Sequence, residues 1–186
     1  MGVFIFYTMI IIHKNVQLQP ILTKDVLVLQ GLMRNIYPAA YSYFWEDDGA
    51  FYINNQYSEE HILKELSQEN AAYYFVLFNN EIIGNFRVVW GEKLSGLSQE
   101  KQVKLHRLYL HPNCQNKGVG KSIVSWLEEE ASFKNYQIIW LDAMDKQEQA
   151  FQFYKKRGYK YHAHTFLDFN LMHVPFRKMN QFYKVL

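Results

Sequence analysis

The stretch "QNKGVGKSI", Gln115 to Ile123, constrains this chain more than any other. It follows an apolar, strand-like run, "QVKLHRLYLHP", and opens a segment with Val119, Ile123, Val124 and Leu127 at helical spacing. A glycine-rich turn between a strand and a helix suits a phosphate. Glycines let the backbone approach it, and the first N–H groups of the helix point at its charge. Lys117 and Lys121 add positive charge nearby. The bland alternative is a glycine turn with no ligand.

Three phosphate-binding patterns overlap here. A Walker A loop requires G-x-x-x-x-G-K-[ST]. Gly120-Lys121-Ser122 supplies its second half, and "IIWLD" downstream imitates the strand and aspartate that hold magnesium. Gln115, however, stands where the first glycine belongs, so the flexible residue that wraps the β-phosphate is missing. Asp142 also lies on the very next strand, which leaves little chain for a nucleoside pocket. The dinucleotide pattern G-x-G-x-x-G meets Gly118 and Gly120 but has Ile123 in third place. The pattern [QR]-x-x-G-x-[GA] is met at every defined position by Gln115, Gly118 and Gly120.

The rest of the chain reads as mixed α/β. The apolar start, "MGVFIFYTMIIIHK", is too short to span a bilayer, has no preceding positive charge and no small-residue cleavage site after it. It reads as a first strand ending near Leu18, with Met9 a second possible start. Thr23 and Asp25 are placed to cap a helix bearing Val26, Leu29, Leu32, Met33 and Ile36, which Pro38 stops. "YSYFWEDDGAFYINNQY" reads as an irregular, aromatic, acidic connection, and Ser58 as the start of a helix with Ile62, Leu63 and Leu66 inward. Asn79-Asn80 is a two-residue hairpin turn between "YYFVLF" and "EIIGNFRVVW". After the glycine loop come the strand "IIWLD", a helix from about Lys146 to Arg157 stopped by Gly158, and two final strands. The order is β-α-α-β-β-β-α-β-α-β-β.

With 186 residues and no repeat or linker, one domain spanning 1–186 is expected. The charge of +2 is scattered, which argues against a nucleic-acid surface. One cysteine, Cys114, excludes an internal disulfide and a cysteine-rich metal site, and suits a reducing cytoplasm. His162, His164 and His173 lack metal-ligand spacing, so no metal is expected. No membrane partner is expected either.

Taken together, "LHRLYLHPNCQNKGVGKSIVSWLEEEA" and "IIWLDAMDKQEQAFQFYKKRGYKY" resemble the GNAT superfamily of acetyl-CoA-dependent N-acetyltransferases. The first resembles the family's fourth strand, pyrophosphate loop and third helix. The second resembles its fifth strand and fourth helix, whose A-x-x-F-Y-x-x-x-G-[FY] ending is filled by Ala150, Phe153, Tyr154, Gly158 and Tyr159. The resemblance implies a single-domain GNAT-like α/β fold, with a mixed, mostly antiparallel sheet of about seven strands and about four flanking helices. "YSEEHILKELSQENAAYYFVLFNNEIIGNFRV" and the late "HTF" resemble bacterial polyamine-type (spermidine/spermine) N-acetyltransferases more loosely.

The resemblance also implies roles. The backbone of Leu108, Tyr109 and Leu110 would pair with the pantetheine arm of acetyl-CoA. Gln115, Asn116, Lys117, Gly118, Val119, Gly120, Lys121 and Ser122 would hold the pyrophosphate. Tyr154 matches the tyrosine that protonates the leaving thiolate; its other reading is a core aromatic. His106 matches a histidine that relays the amine's proton in arylalkylamine relatives, although polyamine-type relatives often carry a carboxylate there and others use a water chain. Gln147 stands where relatives usually carry a cofactor-contacting asparagine, one methylene longer. Glu46, Asp47 and Asp48 would attract a cationic amine while Tyr43, Phe44 and Trp45 pack on its alkyl part; a solvated acidic turn is the competing reading.

The expected activity is direct acetyl transfer from acetyl-CoA to a primary amine, a small amine or polyamine. No His/Asp arrangement supports Cys114 as a covalent nucleophile. An acyl-CoA sensor on the same fold and acetylation of a peptide or protein amine are the alternatives. A homodimer is common among relatives.

Overall fold

The computed structural model describes residues 8–186, so the opening of the apolar start lies outside the described residues. Residues 10–20 form a hairpin, not one strand. β1 (Ile10–His13) turns into β2 (Val16–Pro20), with Ile10 opposite Leu18. Thr23 and Asp25 do not cap the first helix by their side chains. They form a 3-10 turn in which the Asp25 carboxylate accepts the Leu22 N–H at 2.9 Å, and α1 (Val26–Tyr41) comes directly after it. Pro38 does not stop α1 but sits in its last turn. Its missing N–H removes one bond only, and its carbonyl still accepts from the Ser42 N–H.

The aromatic, acidic connection carries a helix of its own, α2 (Ala50–Gln56). It is too short for a helical period to show in the sequence. Ser58 caps α3 (Glu59–Leu66), its hydroxyl accepting the His61 N–H at 3.2 Å. Ile62 is buried, but Leu63 is 37% exposed, and Glu65 takes an inward place instead. The Asn79-Asn80 turn joins β3 (Ala71–Phe78) to β4 (Glu81–Trp90), with φ of 52° and 66°. Then come β5 (Gln102–Leu110), α4 (Val119–Phe133), β6 (Ile138–Met144) and α5 (Glu148–Lys156). Gly158 stops α5 at φ 86°, before β7 (Lys160–Phe166) and β8 (Lys178–Val185).

The strands make one eight-stranded sheet in the order β1-β2-β3-β4-β5-β6-β8-β7. Every pairing is antiparallel except β5–β6. This is the expected α/β class, with five α-helices and eight strands among the described residues, one more of each than the sequence suggested. Val119, Ile123, Val124 and Leu127 of α4 and Tyr154 of α5 pack on one face of the sheet. Leu29, Met33 and Ile36 of α1, Ile53 of α2 and Ile62 of α3 pack on the other.

Two irregularities shape the middle of this sheet. β5 and β6 pair only from Gln102↔Ile138 to Leu105↔Leu141, after which they part. Beside the fork, Arg87 opposes Arg107 while Val88 opposes Leu105, so His106 is the extra residue of a β-bulge. A bulge re-aims side chains, and here it turns the consecutive residues His106 and Arg107 to the same carboxylate, Glu65. Gly84 marks a third constraint: a Cβ there would stand 2.1 Å from the Tyr109 carbonyl oxygen. Among the described residues no helix is long and apolar enough to cross a membrane.

Candidate active site

Beyond Leu105, β5 pairs with β4 on one side only, from Arg107↔Arg87 to Leu110↔Gly84. Its other edge, over His106 to Leu110, faces the gap left by β6. β6 meanwhile turns to β8, Asp142 opposite Gln181 and Met144 opposite Met179. The gap holds a cavity of about 360 Å³, lined by Leu108 and Tyr109 of β5 and Leu141 and Ala143 of β6. An unpaired strand edge along a cavity suits an extended, amide-bearing ligand arm, which completes the missing ladder. Leu108 and Tyr109 line the cavity, and Leu110 ends the same free edge without lining it.

At the mouth of the fork the chain passes through a 3-10 turn, Pro112–Cys114, and an exposed loop, Gln115 to Gly118, into α4. Asn116 and Gly118 both have positive φ, 60° and 80°. A Cβ at Gly118 would meet nothing within 4 Å, so the glycine answers to backbone conformation rather than space. Among the described residues no side chain caps α4, and its first intrahelical bond is Ser122 N–H to the Gly118 carbonyl at 2.9 Å. The amides of Val119, Gly120 and Lys121 thus precede the helical ladder and stay open to an anion. The Lys117 and Lys121 side chains are exposed. Ser122 turns back, its hydroxyl donating to the Gly118 carbonyl. Cys114 is buried in the core and is a packing residue.

α5 supplies Ala150 and Tyr154 to the cavity wall, with Gln147 just before its first turn. The Tyr154 ring is buried edge-on to Phe153 and Tyr159, with centroids 5.0 and 5.4 Å away. Burial holds its phenol pKa well above the usual value, and Tyr41, from the opposite helical layer, adds to the rise. Two layers separated by a sheet interact here because the sheet is split. The phenol stays protonated at neutral pH, the form an acid requires. The Gln147 amide donates to the Ala40 carbonyl at 2.9 Å and the Tyr43 hydroxyl at 3.1 Å, so it ties the start of α5 to the end of α1.

His106 also lines the cavity. Its Nδ1 lies 2.7 Å from Arg87 Nη1, which donates, so the imidazole carries its hydrogen on Nε2. Burial first, then Arg107, Arg87, Lys104 and His61, pull its pKa down to about 2. That environment opposes the proton-accepting role expected of it, because a neutral ring with its free lone pair already engaged is a poor base. The sign for stability is set by the same shift. The unfolded chain's histidine titrates near ~6.5 while the folded one does not, so unfolding takes up a proton below that pH. Stability then falls as pH drops from ~6.5 towards about 2. In thermal melts, the gap between wild type and His106→Gln is expected to move in the variant's favour between pH 7 and pH 5. A gap independent of pH would contradict the neutral histidine.

Around His106 lies a polar network that the sequence reading does not contain. Glu65 is buried between Arg107, paired through Nε and Nη2 at 3.2 and 2.8 Å, and Arg87, whose Nε is 3.9 Å away. Arg107 Nη1 also donates to the Tyr57 hydroxyl at 3.1 Å, and Arg87 Nη2 to Gln68 at 2.6 Å. The signal is present in the sequence: Arg87 and Arg107 sit mid-strand among apolar residues, where an unpaired charge would not be tolerated.

The acidic stretch splits. Asp47 accepts the Gly49 and Phe51 N–H groups at the start of α2, while Glu46 and Asp48 lie apart from it; none of the three lines the cavity. Phe44 and Trp45 do line it. Among the described residues no group of His, Cys, Asp or Glu is placed to hold a metal ion. His162 donates to the Ser95 carbonyl and His164 pairs with the Tyr161 hydroxyl.

Comparison with known proteins agrees with this fold. The acetyltransferase (GNAT) family profile matches residues 32–159. An uncharacterized N-acetyltransferase of the pepI 3′ region from Lactobacillus delbrueckii subsp. lactis is 22% identical over 122 residues, 65% of this chain and 70% of that protein. The fold superposes on the PaiA N-acetyltransferase of Thermoplasma acidophilum, solved with coenzyme A, with TM-score 0.68 and 18% identity over 92% of this chain and 99% of that one. It superposes equally well, TM-score 0.68 and 9% identity, on a Salmonella typhimurium acetyltransferase that modifies the N-terminal serine of ribosomal protein L7/L12, covering 96% of this chain and 99% of that one.

Proposed function

Because this chain belongs to the acetyltransferase (GNAT) family, and is thereby an acetyl-CoA-dependent N-acetyltransferase, we propose that its fork binds acetyl-CoA and presents the thioester to a small primary amine. The observation that carries this reading is the parting of β5 from β6 after Leu105 and Leu141, with an uncapped helix at its mouth and Tyr154 on its wall.

In this reading the open amides of Val119, Gly120 and Lys121 take the pyrophosphate, and Gln115, Asn116, Lys117, Gly118 and Ser122 shape the turn around it. The free edge of Leu108 to Leu110 takes the pantetheine arm. The amine nitrogen then attacks the thioester carbonyl: the C–N bond forms as the C–S bond breaks. Tyr154 gives its hydroxyl proton to the departing sulfur, and the proton shed by the nitrogen restores the phenol. Holding the two reactants together supplies much of the rate without further chemistry. His106 lines the cavity as a neutral ring and does not take the proton.

The cavity of about 360 Å³ has to take the thioester end of the cofactor together with the acceptor, which supports a small acceptor. It lies near the lower end of the roughly 300–1,000 Å³ of small-molecule sites. Release of free thiol from acetyl-CoA, followed with a panel of small amines and a peptide with a free N-terminus, tests the reading. Turnover with one or more small amines is expected; turnover with the peptide alone would replace the small-molecule acceptor with a protein one.

A further inference from the structure

The charges in the cavity speak against a polyamine. Among the described residues its only charged lining groups are Lys104, Arg107 and Asp142, two cations and one carboxylate. Asp142 is already engaged: its Oδ2 lies 3.1 Å from Lys104 Nζ, and its Oδ1 accepts from Gln181 at 3.2 Å. Arg107 is taken by Glu65, and His106 is neutral. No carboxylate among the described lining residues is left over for a second ammonium.

What the cavity offers instead is rings. Trp45, Tyr52 and Phe169 stand with centroids 5.5 to 6.0 Å apart, and Tyr41 meets Tyr109 edge-on at 5.8 Å. The phenols nearby are partly engaged with one another: Tyr52 and Tyr109 share a hydrogen bond at 3.0 Å, and Tyr37 accepts from Trp45 Nε1 at 3.0 Å. A cation over a ring gains ~0.5–2 kcal/mol, whereas an unpaired buried ammonium costs several kcal/mol. Ring faces alone therefore do not compensate for a buried second charge. An apolar, ring-sized body, by contrast, gains from the part of the wall formed by these rings.

We propose that the acceptor is a primary monoamine carrying one aromatic ring, with the reacting nitrogen, which attacks as the free amine, as its only basic group, and that polyamines are rejected. This rests on the acetyl-transfer reading above and narrows its substrate. Tyr52 and Phe169 set the specificity, and Phe169, on the half-buried β7–β8 connection, lies outside β5, β6 and the glycine loop that take acetyl-CoA in the reading above.

The test compares 2-phenylethylamine, spermidine and an N-terminal peptide by thiol release from acetyl-CoA, with cofactor affinity measured separately by calorimetry. The kcat/KM for 2-phenylethylamine is expected to exceed that for spermidine by about 100-fold or more, a factor of ten per ~1.4 kcal/mol. Phe169→Ala is expected to raise the KM for 2-phenylethylamine while leaving acetyl-CoA affinity unchanged. Spermidine turning over as well as the aromatic amine, or peptide turnover alone, would overturn the proposal and leave acetyl transfer standing. Acetyl-CoA bound but consumed with none of the three would overturn both.

Discussion

Replacing Tyr154 with phenylalanine is expected to lower kcat by about two to four orders of magnitude, the usual contribution of a positioned proton donor. The dissociation constant for acetyl-CoA should stay the same. The ring is held by Phe153 and Tyr159 and belongs to the core beneath α4, packing that phenylalanine keeps. The hydroxyl makes no hydrogen bond to another described residue, so removing it leaves no partner stranded. Stability should change little, and the loss should fall on chemistry alone. Stopped assays for kcat and calorimetry for cofactor binding separate the two. An unchanged kcat would reduce Tyr154 to the core aromatic that its burial also fits. A wild type that binds acetyl-CoA but turns over no amine would favour a sensor. The fork, the donor phenol and the open helix end would then serve binding only.

The features legible in the sequence are those written in local geometry. Gly118 and Gly158 announce positive φ, Asn79-Asn80 announces a tight hairpin, and the spacing of Val119, Ile123 and Leu127 announces the inward face of α4. The features that are not legible depend on distant partners. α2 has seven residues, too few to establish a period, and amides at its start are satisfied by Asp47, which reads in the sequence as part of an acidic patch. Pro38 reads as a stop, but one missing N–H in the last turn of a helix costs little. Apolar periodicity turns Leu63 inward and passes over Glu65, because it does not register a buried carboxylate whose two arginines lie on β4 and β5. The bulge at His106 is hidden for the same reason: register belongs to a pair of strands, not to either sequence alone. For the candidate site, residue identity singles out the glycine loop that precedes α4 and Tyr154 on the cavity wall. Their neighbours decide how they behave, and those neighbours come from distant parts of the chain.

Glu65→Ala is expected to cost about 3–5 kcal/mol of stability, the usual effect of removing one partner from a buried ion pair. Glu65, Arg87 and Arg107 are all buried, with Arg87 and Arg107 only 2% and 5% exposed. Deleting the carboxylate leaves two guanidinium groups close together in a site with little water. Arg107 would keep only the Tyr57 hydroxyl and a long contact to Tyr52, and Arg87 would keep Gln68, the residue-65 carbonyl and His106. Urea unfolding at pH 7 reads the effect as a lower midpoint at unchanged slope. Because α3 is short, a variant could lose α3 alone without loss of the sheet, which would show as a smaller slope. The double variant Glu65→Ala with Arg107→Leu separates an electrostatic origin from a packing one. If the cost comes from stranded charge, removing one guanidinium should restore part of the lost stability, giving a favourable coupling in the cycle. Additive losses would instead mean that Glu65 acts through the atoms it fills space with. The same residue anchors the strand edge beside the fork, because Arg107 and His106 both reach it from the bulge at 2.8 and 3.7 Å. A single carboxylate on a short helix therefore holds α3 to the sheet through Arg107 and Arg87, and the hydrogen bond that reaches His106 comes from Arg87.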